Sequence, residues 1–116
     1  MAEGRTEGLA ALSAAIAVGA AAFGAHAAGS AKAAEWLQTG GHYQLVHAVA
    51  ALLLVQRSGL ARSAQMLLVG SALFAATLYA MALGAPRWFG AITPVGGLLM
   101  IAGWLWAASL FFRKRA

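Results

Sequence analysis

The charged residues of this chain fall only where four long apolar runs stop. Glu3, Arg5 and Glu7 precede the first run, and Lys32 and Glu35 follow it. Arg57 and Arg62 separate the second from the third, Arg87 separates the third from the fourth, and Arg113, Lys114 and Arg115 close the chain. About 20 apolar residues in a helix cross the hydrocarbon layer of a bilayer, roughly 30 Å thick, where only helices and closed barrels satisfy every backbone N–H and C=O. The pattern predicts an all-α integral membrane protein: one domain over residues 1–116, an antiparallel bundle of four transmembrane helices at about 8–29, 41–56, 64–84 and 92–112. A soluble chain of 116 residues, 62% hydrophobic and 9% charged, could not hide so much apolar surface in one core.

The first run, Gly8 to Gly29, competes with a secretory signal peptide, because Ala25-His26-Ala27 resembles a small-x-small cleavage site. The acidic Glu3 and Glu7 give no positive leader, and the run is longer than a signal's apolar core, so it reads as a span. Ser30 to Gly41 reads as a polar connection, with Ala31 to Leu37 a short interfacial helix and Trp36 at headgroup level. A second span starting at Gly41 is short, so either its helix starts nearer Trp36 or the protein shields that end. Pro94 fits the first turn of the fourth helix, where its missing N–H costs nothing. No internal repeat relates the two halves.

Orientation follows from the basic residues. The N-terminal tail, the middle turn and the C-terminal tail share one side and carry Arg5, Arg57, Arg62, Arg113, Lys114 and Arg115, against Lys32 and Arg87 on the other. The positive-inside rule predicts both termini in the cytoplasm of a bacterial plasma or inner membrane. The net charge of +5 is thus a topology signal; no basic stripe interleaved with aromatics suggests nucleic acid. Cysteine is absent, which excludes thiol–disulfide chemistry and the quinone-linked disulfide oxidoreductases that also use four spans.

Polar side chains inside a membrane are costly and face protein, water or a ligand. With the spans placed as above, His26, the stretch His42-Tyr43-Gln44 with His47, Thr77 with Tyr79, and Thr93 all fall in the outer half. The expectation is an outer-leaflet pocket lined by His26, Tyr43, His47, Tyr79 and Thr93. On a regular helix Tyr43 and His47 lie about 40° apart, and Gln44 about 60° beyond His47. His42 lies about 140° from His47, so these two cannot chelate one metal. His26 with His47 across helices is the remaining haem or metal arrangement, a thin donor set without carboxylate or thiolate, and no cofactor is expected. The plain alternative is two bundle histidines bonded to each other, to Tyr79 or to carbonyls near Pro94. Small residues at helical spacing (Ala20, Gly24 and Ala28; Ala76, Ala80 and Gly84; Gly103 and Ala107) suggest close helix packing.

Four motifs recur together: Phe23-Gly24-Ala25-His26; Gln38-Thr39 with Tyr43 and His47-Ala48-Val49-Ala50-Ala51-Leu52; Leu73-Phe74 with Leu78-Tyr79; and Ile92-Thr93-Pro94-Val95-Gly96-Gly97 with Gly103-Trp104. In these, over Leu9 to Ala108, the chain resembles the DUF423 family of small bacterial membrane proteins, which includes the eukaryotic transmembrane protein 256. The resemblance implies four spans and no assigned activity. It marks His26, Tyr43, His47, Tyr79, Thr93 and Pro94, while His42 and Gln44 match the pattern less well.

The functional expectation is a non-enzymatic membrane module, either an accessory subunit of a larger complex or homo-oligomer, or a binder of lipid or a quinone-like ring. The first alternative is a small transporter or channel gated by protons on His26 and His47. The smallest four-span drug exporters rely on an intramembrane carboxylate, and Glu3, Glu7 and Glu35 all lie outside the spans. The second alternative is a haem- or metal-binding redox protein. Hydrolysis is disfavoured, because Ser13, Ser30, Ser58, Ser63, Ser71 and Ser109 face the inner side or lie away from the histidines, with no buried acid to orient a base.

Overall fold

The computed structural model describes residues 2–115. Four α-helices follow one another: α1 (Ala2–His26), α2 (Ala31–Val55), α3 (Ala61–Ala82) and α4 (Thr93–Arg115), with a short 3-10 helix at Arg87–Ala91 before α4. Among the described residues there is no strand. Three helical stretches, Gly4–His26, Ala61–Ala82 and Arg87–Lys114, are long and apolar enough to cross a membrane. α2 has the length as well, and Lys32, Glu35, Gln38, His42, Gln44 and His47 dilute its apolar character.

The main departure from expectation is the start of α2. The helix begins at Ala31, ten residues before Gly41, and the separate interfacial helix does not exist. Ser30 explains it: its backbone is extended and its Oγ accepts the Ala33 N–H at 3.0 Å, a helix N-cap. The Gly40-Gly41 pair, which looks like a boundary, lies inside the helix because two neighbours press on it. A Cβ at Gly40 would sit 2.7 Å from Tyr79 Cε1, and one at Gly41 would sit 2.9 Å from the Ala17 carbonyl oxygen. Successive residues point about 100° apart on a helix, so the pair admits α3 on one side and α1 on the other.

Helices pack in chain order, α1 on α2, α2 on α3 and α3 on α4, with a lesser contact between α1 and α3. Among the described residues α1 and α4 do not approach, so the bundle is open rather than a closed square. α3 and α4 come close enough that a Cβ on Gly96 would lie 2.6 Å from both the Gly70 carbonyl oxygen and the Phe74 amide nitrogen. Gly103 and Ala107 face this seam or the core as expected, but Ala76 and Gly84 are exposed. The apolar core of Ala10, Ala51, Leu54, Leu60, Ala64, Leu67, Leu68 and Ala107 gathers at the end bearing the α2–α3 turn. The molecule measures 51 × 25 × 22 Å.

Candidate functional site

Because α2 starts at Ala31, Tyr43, Gln44 and His47 occupy the middle of that helix. Gln44 is 13 residues from Ala31, about 20 Å at helical rise. Two of their partners are also central in their own helices, Ser13 in α1 and Trp104 in α4, while a third, Tyr79, lies near the end of α3. Of the expected pocket residues, Tyr43 and His47 thus stand at mid-helix, while His26, Tyr79 and Thr93 stand at or near helix ends.

Gln44 is the hub of one network. Buried against α1 and α3, it donates from Nε2 to Ser13 Oγ at 2.9 Å and accepts from the Tyr79 hydroxyl at 2.6 Å. Three helices are joined through one amide. Tyr79 reaches Gln44 because its ring lies over Gly40, one turn earlier on α2. Ser13, expected on the inner side or away from the histidines, bonds Gln44 and no histidine. It lies at the middle of α1, where an unpaired hydroxyl would be costly.

His47 is the hub of the second network, and it is 6% exposed. Its Nδ1 lies 2.7 Å from the Tyr43 carbonyl oxygen, and Trp104 Nε1 donates to its Nε2 at 3.0 Å. An indole N–H only donates, so Nε2 accepts and the proton sits on Nδ1, where it bonds the Tyr43 carbonyl. The Tyr43 ring stacks on His47 at 6.2 Å between centroids and packs on Phe74 at 4.9 Å. The expected shared face of Tyr43 and His47 is thus realised.

Thr93 belongs to a third, smaller contact. Its Oγ1 lies 2.6 Å from Thr77 Oγ1, and each hydroxyl also faces a carbonyl in its own chain segment, Phe74 for Thr77 and Phe89 for Thr93. This pair ties the start of α4 to α3. His26 stands apart from all three. It is exposed at the end of α1, two residues beyond Gly24, which packs against Ala34 and Leu37 of α2. His47 lies 13 residues beyond Ala34, about 20 Å along the helix. The two histidines therefore cannot share a haem or metal, nor bond each other. Among the described residues no three His, Asp or Glu side chains gather as a metal site. His42 is exposed and meets the Tyr43 ring edge-on at 5.9 Å.

Two apolar grooves flank the central helices. One, of about 440 Å³, is lined by Tyr43, His47, Phe74, Gly97, Met100, Ile101 and Trp104, between α2 and α4 with α3 beneath. The other, of about 280 Å³, lies between α1 and α3 with Ser13 and Gln44 in its wall. The expected pocket left out Ser13, Gln44 and Trp104, although Gln44 stands in the polar stretch of α2 and Trp104 in the fourth motif. The signal for Trp104 was available: a large aromatic with an N–H needs a partner in lipid, and His47 offers an acceptor.

Residues 20–97 match the model of a family described as a protein of unknown function, DUF423. The chain is 37% identical to a UPF0382 membrane protein of Haemophilus influenzae, over 93% of this chain and 94% of the relative. It is 39% identical to the UPF0382 inner membrane protein YgdD of Escherichia coli, over 82% of this chain and 79% of the relative. A UPF0382 membrane protein of Staphylococcus saprophyticus is 38% identical, over 84% of this chain and 88% of the relative. No solved structure matches.

Proposed function

The chain belongs to the DUF423 family of small multi-pass membrane proteins, and on that premise we propose that it is a non-enzymatic module whose α2–α4 groove takes a flat, lipid-soluble ring of the quinone class. The observation that carries the reading is the lining of that groove. Three aromatic side chains, Tyr43, Phe74 and Trp104, together with the His47 imidazole surround about 440 Å³ of open, mainly apolar space, and aromatic rings favour stacked or edge-on partners. The polar groups of α2 are already bonded: His47, in the groove wall, to the Tyr43 carbonyl and Trp104, and Gln44, turned toward α1 and α3, to Ser13 and Tyr79. Among the described residues no nucleophile–base–acid set remains, which supports binding over catalysis. Tyr43 and His47 are then the ligand-facing members of the expected set, Tyr79 and Thr93 act in helix packing, and His26 is outside the site. The separation of His26 from His47 removes the paired gate on which the proton-sensitive transporter reading relied.

The module sits in a bacterial plasma or inner membrane with both termini in the cytoplasm, a reading supported by the six-to-two division of basic residues and by the name of the Escherichia coli relative. The exposed flanks of α1 and α4 meet lipid or a partner subunit.

The test is extraction of small molecules from the full chain purified in native-membrane discs, identified by mass spectrometry. Gly97 lines the groove, and a Cβ there meets only Phe74 Cδ1 at 4.0 Å, so Gly97→Leu fills the groove without a backbone clash. A ring-bearing isoprenoid enriched with the natural chain and lost from G97L is the expected result. Identical extracts from both, or only bulk phospholipid, would overturn the reading.

A further inference from the structure

The end of the molecule opposite His26 carries a third, differently built groove, between α3 and α4. It has a volume of about 390 Å³ and is lined by Arg62, Gln65, Met66, Val69 and Leu99. Arg62, Met66 and Val69 follow one another at helical spacing, so the groove descends from a cationic mouth to an apolar floor over about 10 Å. Arg62 and Gln65 are exposed, and among the described residues no carboxylate pairs with Arg62.

Three further observations make this mouth attractive to an anion. The first turn of α3 has no acidic residue, and its preceding residue, Leu60, offers no side-chain cap, so the amides there retain their positive end of the helix dipole. The Arg57 guanidinium lies 5.3 Å over the Phe111 ring, and Lys114 Nζ donates to the Ser58 carbonyl at 2.7 Å. Both contacts hold further cations at the same end of the bundle. A cationic, hydrogen-bonding mouth above an apolar channel matches a molecule with an anionic head and a hydrocarbon tail.

We infer that the α3–α4 groove is a binding site for an anionic phospholipid, its phosphate on Arg62 and Gln65, and one acyl chain along Met66, Val69 and Leu99. The site is separate from the α2–α4 groove and does not rest on the function proposed for it. A lipid held there would lie along the outside of the α3–α4 seam, which Gly103 closes against Met66 and Leu67.

The experiment is native mass spectrometry of the full chain in detergent, titrated with dioleoyl phosphatidylglycerol or dioleoyl phosphatidylcholine. The first lipid is expected to bind selectively, and Arg62→Gln to weaken it roughly tenfold, as loss of a charge-assisted contact does. Arg62→Lys retains much of the binding. Arg87→Gln, which removes a cation from the other end, leaves it unchanged. Leu99→Trp, which fills the channel and keeps the charge, also weakens it. Equal binding of the two lipids, an unaffected R62Q, or displacement by glycerol phosphate at equal concentration would overturn the assignment, the last by showing that the apolar channel contributes nothing.

Discussion

At the scale of single residues, the polar side chains of this protein are spent on each other. Gln44 is the most exposed to test, since its amide serves two partners at once. Gln44→Leu leaves the Ser13 and Tyr79 hydroxyls unpaired, and a loss of about 1–3 kcal/mol is expected. Thermal unfolding in detergent measures it, and Tyr79→Phe in the leucine background should add little, because its hydroxyl has already lost its partner. For His47, nitrogen NMR is expected to show the neutral ring protonated at Nδ1. Trp104→Phe removes the donor that fixes that tautomer and should lower stability by about 1 kcal/mol, the scale of interhelical hydrogen bonds in membranes. A ring protonated at Nε2 in the natural protein would contradict the assigned bond. Ser63 is the opposite case. Its Oγ is fully buried without a partner, so Ser63→Ala is expected to raise the melting temperature rather than lower it.

At the scale of the helices, the positions of the turns were legible and the extent of α2 was not. Charges at Arg57, Arg62 and Arg87 mark turns because a charge in hydrocarbon is expensive, and the helices break there. Ser30 was an equally clear start signal for α2, but the polar residues that follow resembled a loop. Only the neighbours Tyr79 and Ala17 explain why Gly40 and Gly41 continue a helix. A shift of ten residues in that boundary then moved Tyr43 and His47 from the end of a span to its middle. The same information limits the small-residue rows: alanine is so frequent that spacing alone could not distinguish the buried Gly103 from the exposed Ala76. Gly96→Ala is expected to force α3 and α4 apart, because the obstructing atoms are backbone and cannot rotate away. Overpacking of this kind costs about 1–3 kcal/mol. Gly97→Ala, one residue on, should be nearly silent in the same melting assay.

At the scale of the whole molecule, the open order α1–α2–α3–α4 leaves α2 and α3 inside and α1 and α4 largely in contact with their surroundings. The Gln44–Ser13 and His47–Trp104 bonds stand across the middle of this array, while six of the eight basic residues gather at one end. A fluorescent protein fused at the C-terminus should be active and a fused alkaline phosphatase inactive, if that basic end faces the cytoplasm; the reverse pair would invert the topology. The depth of the His47–Trp104 bond bears most directly on the account, since it separates a mid-bundle network from a cluster near one surface. Trp104 is 43% exposed, so its fluorescence can be quenched by brominated lipids once Trp36, Trp88 and Trp106 are changed to Phe. Quenching strongest with bromine near the end of the acyl chain is the predicted result. Strongest quenching with bromine near the headgroup would contradict it.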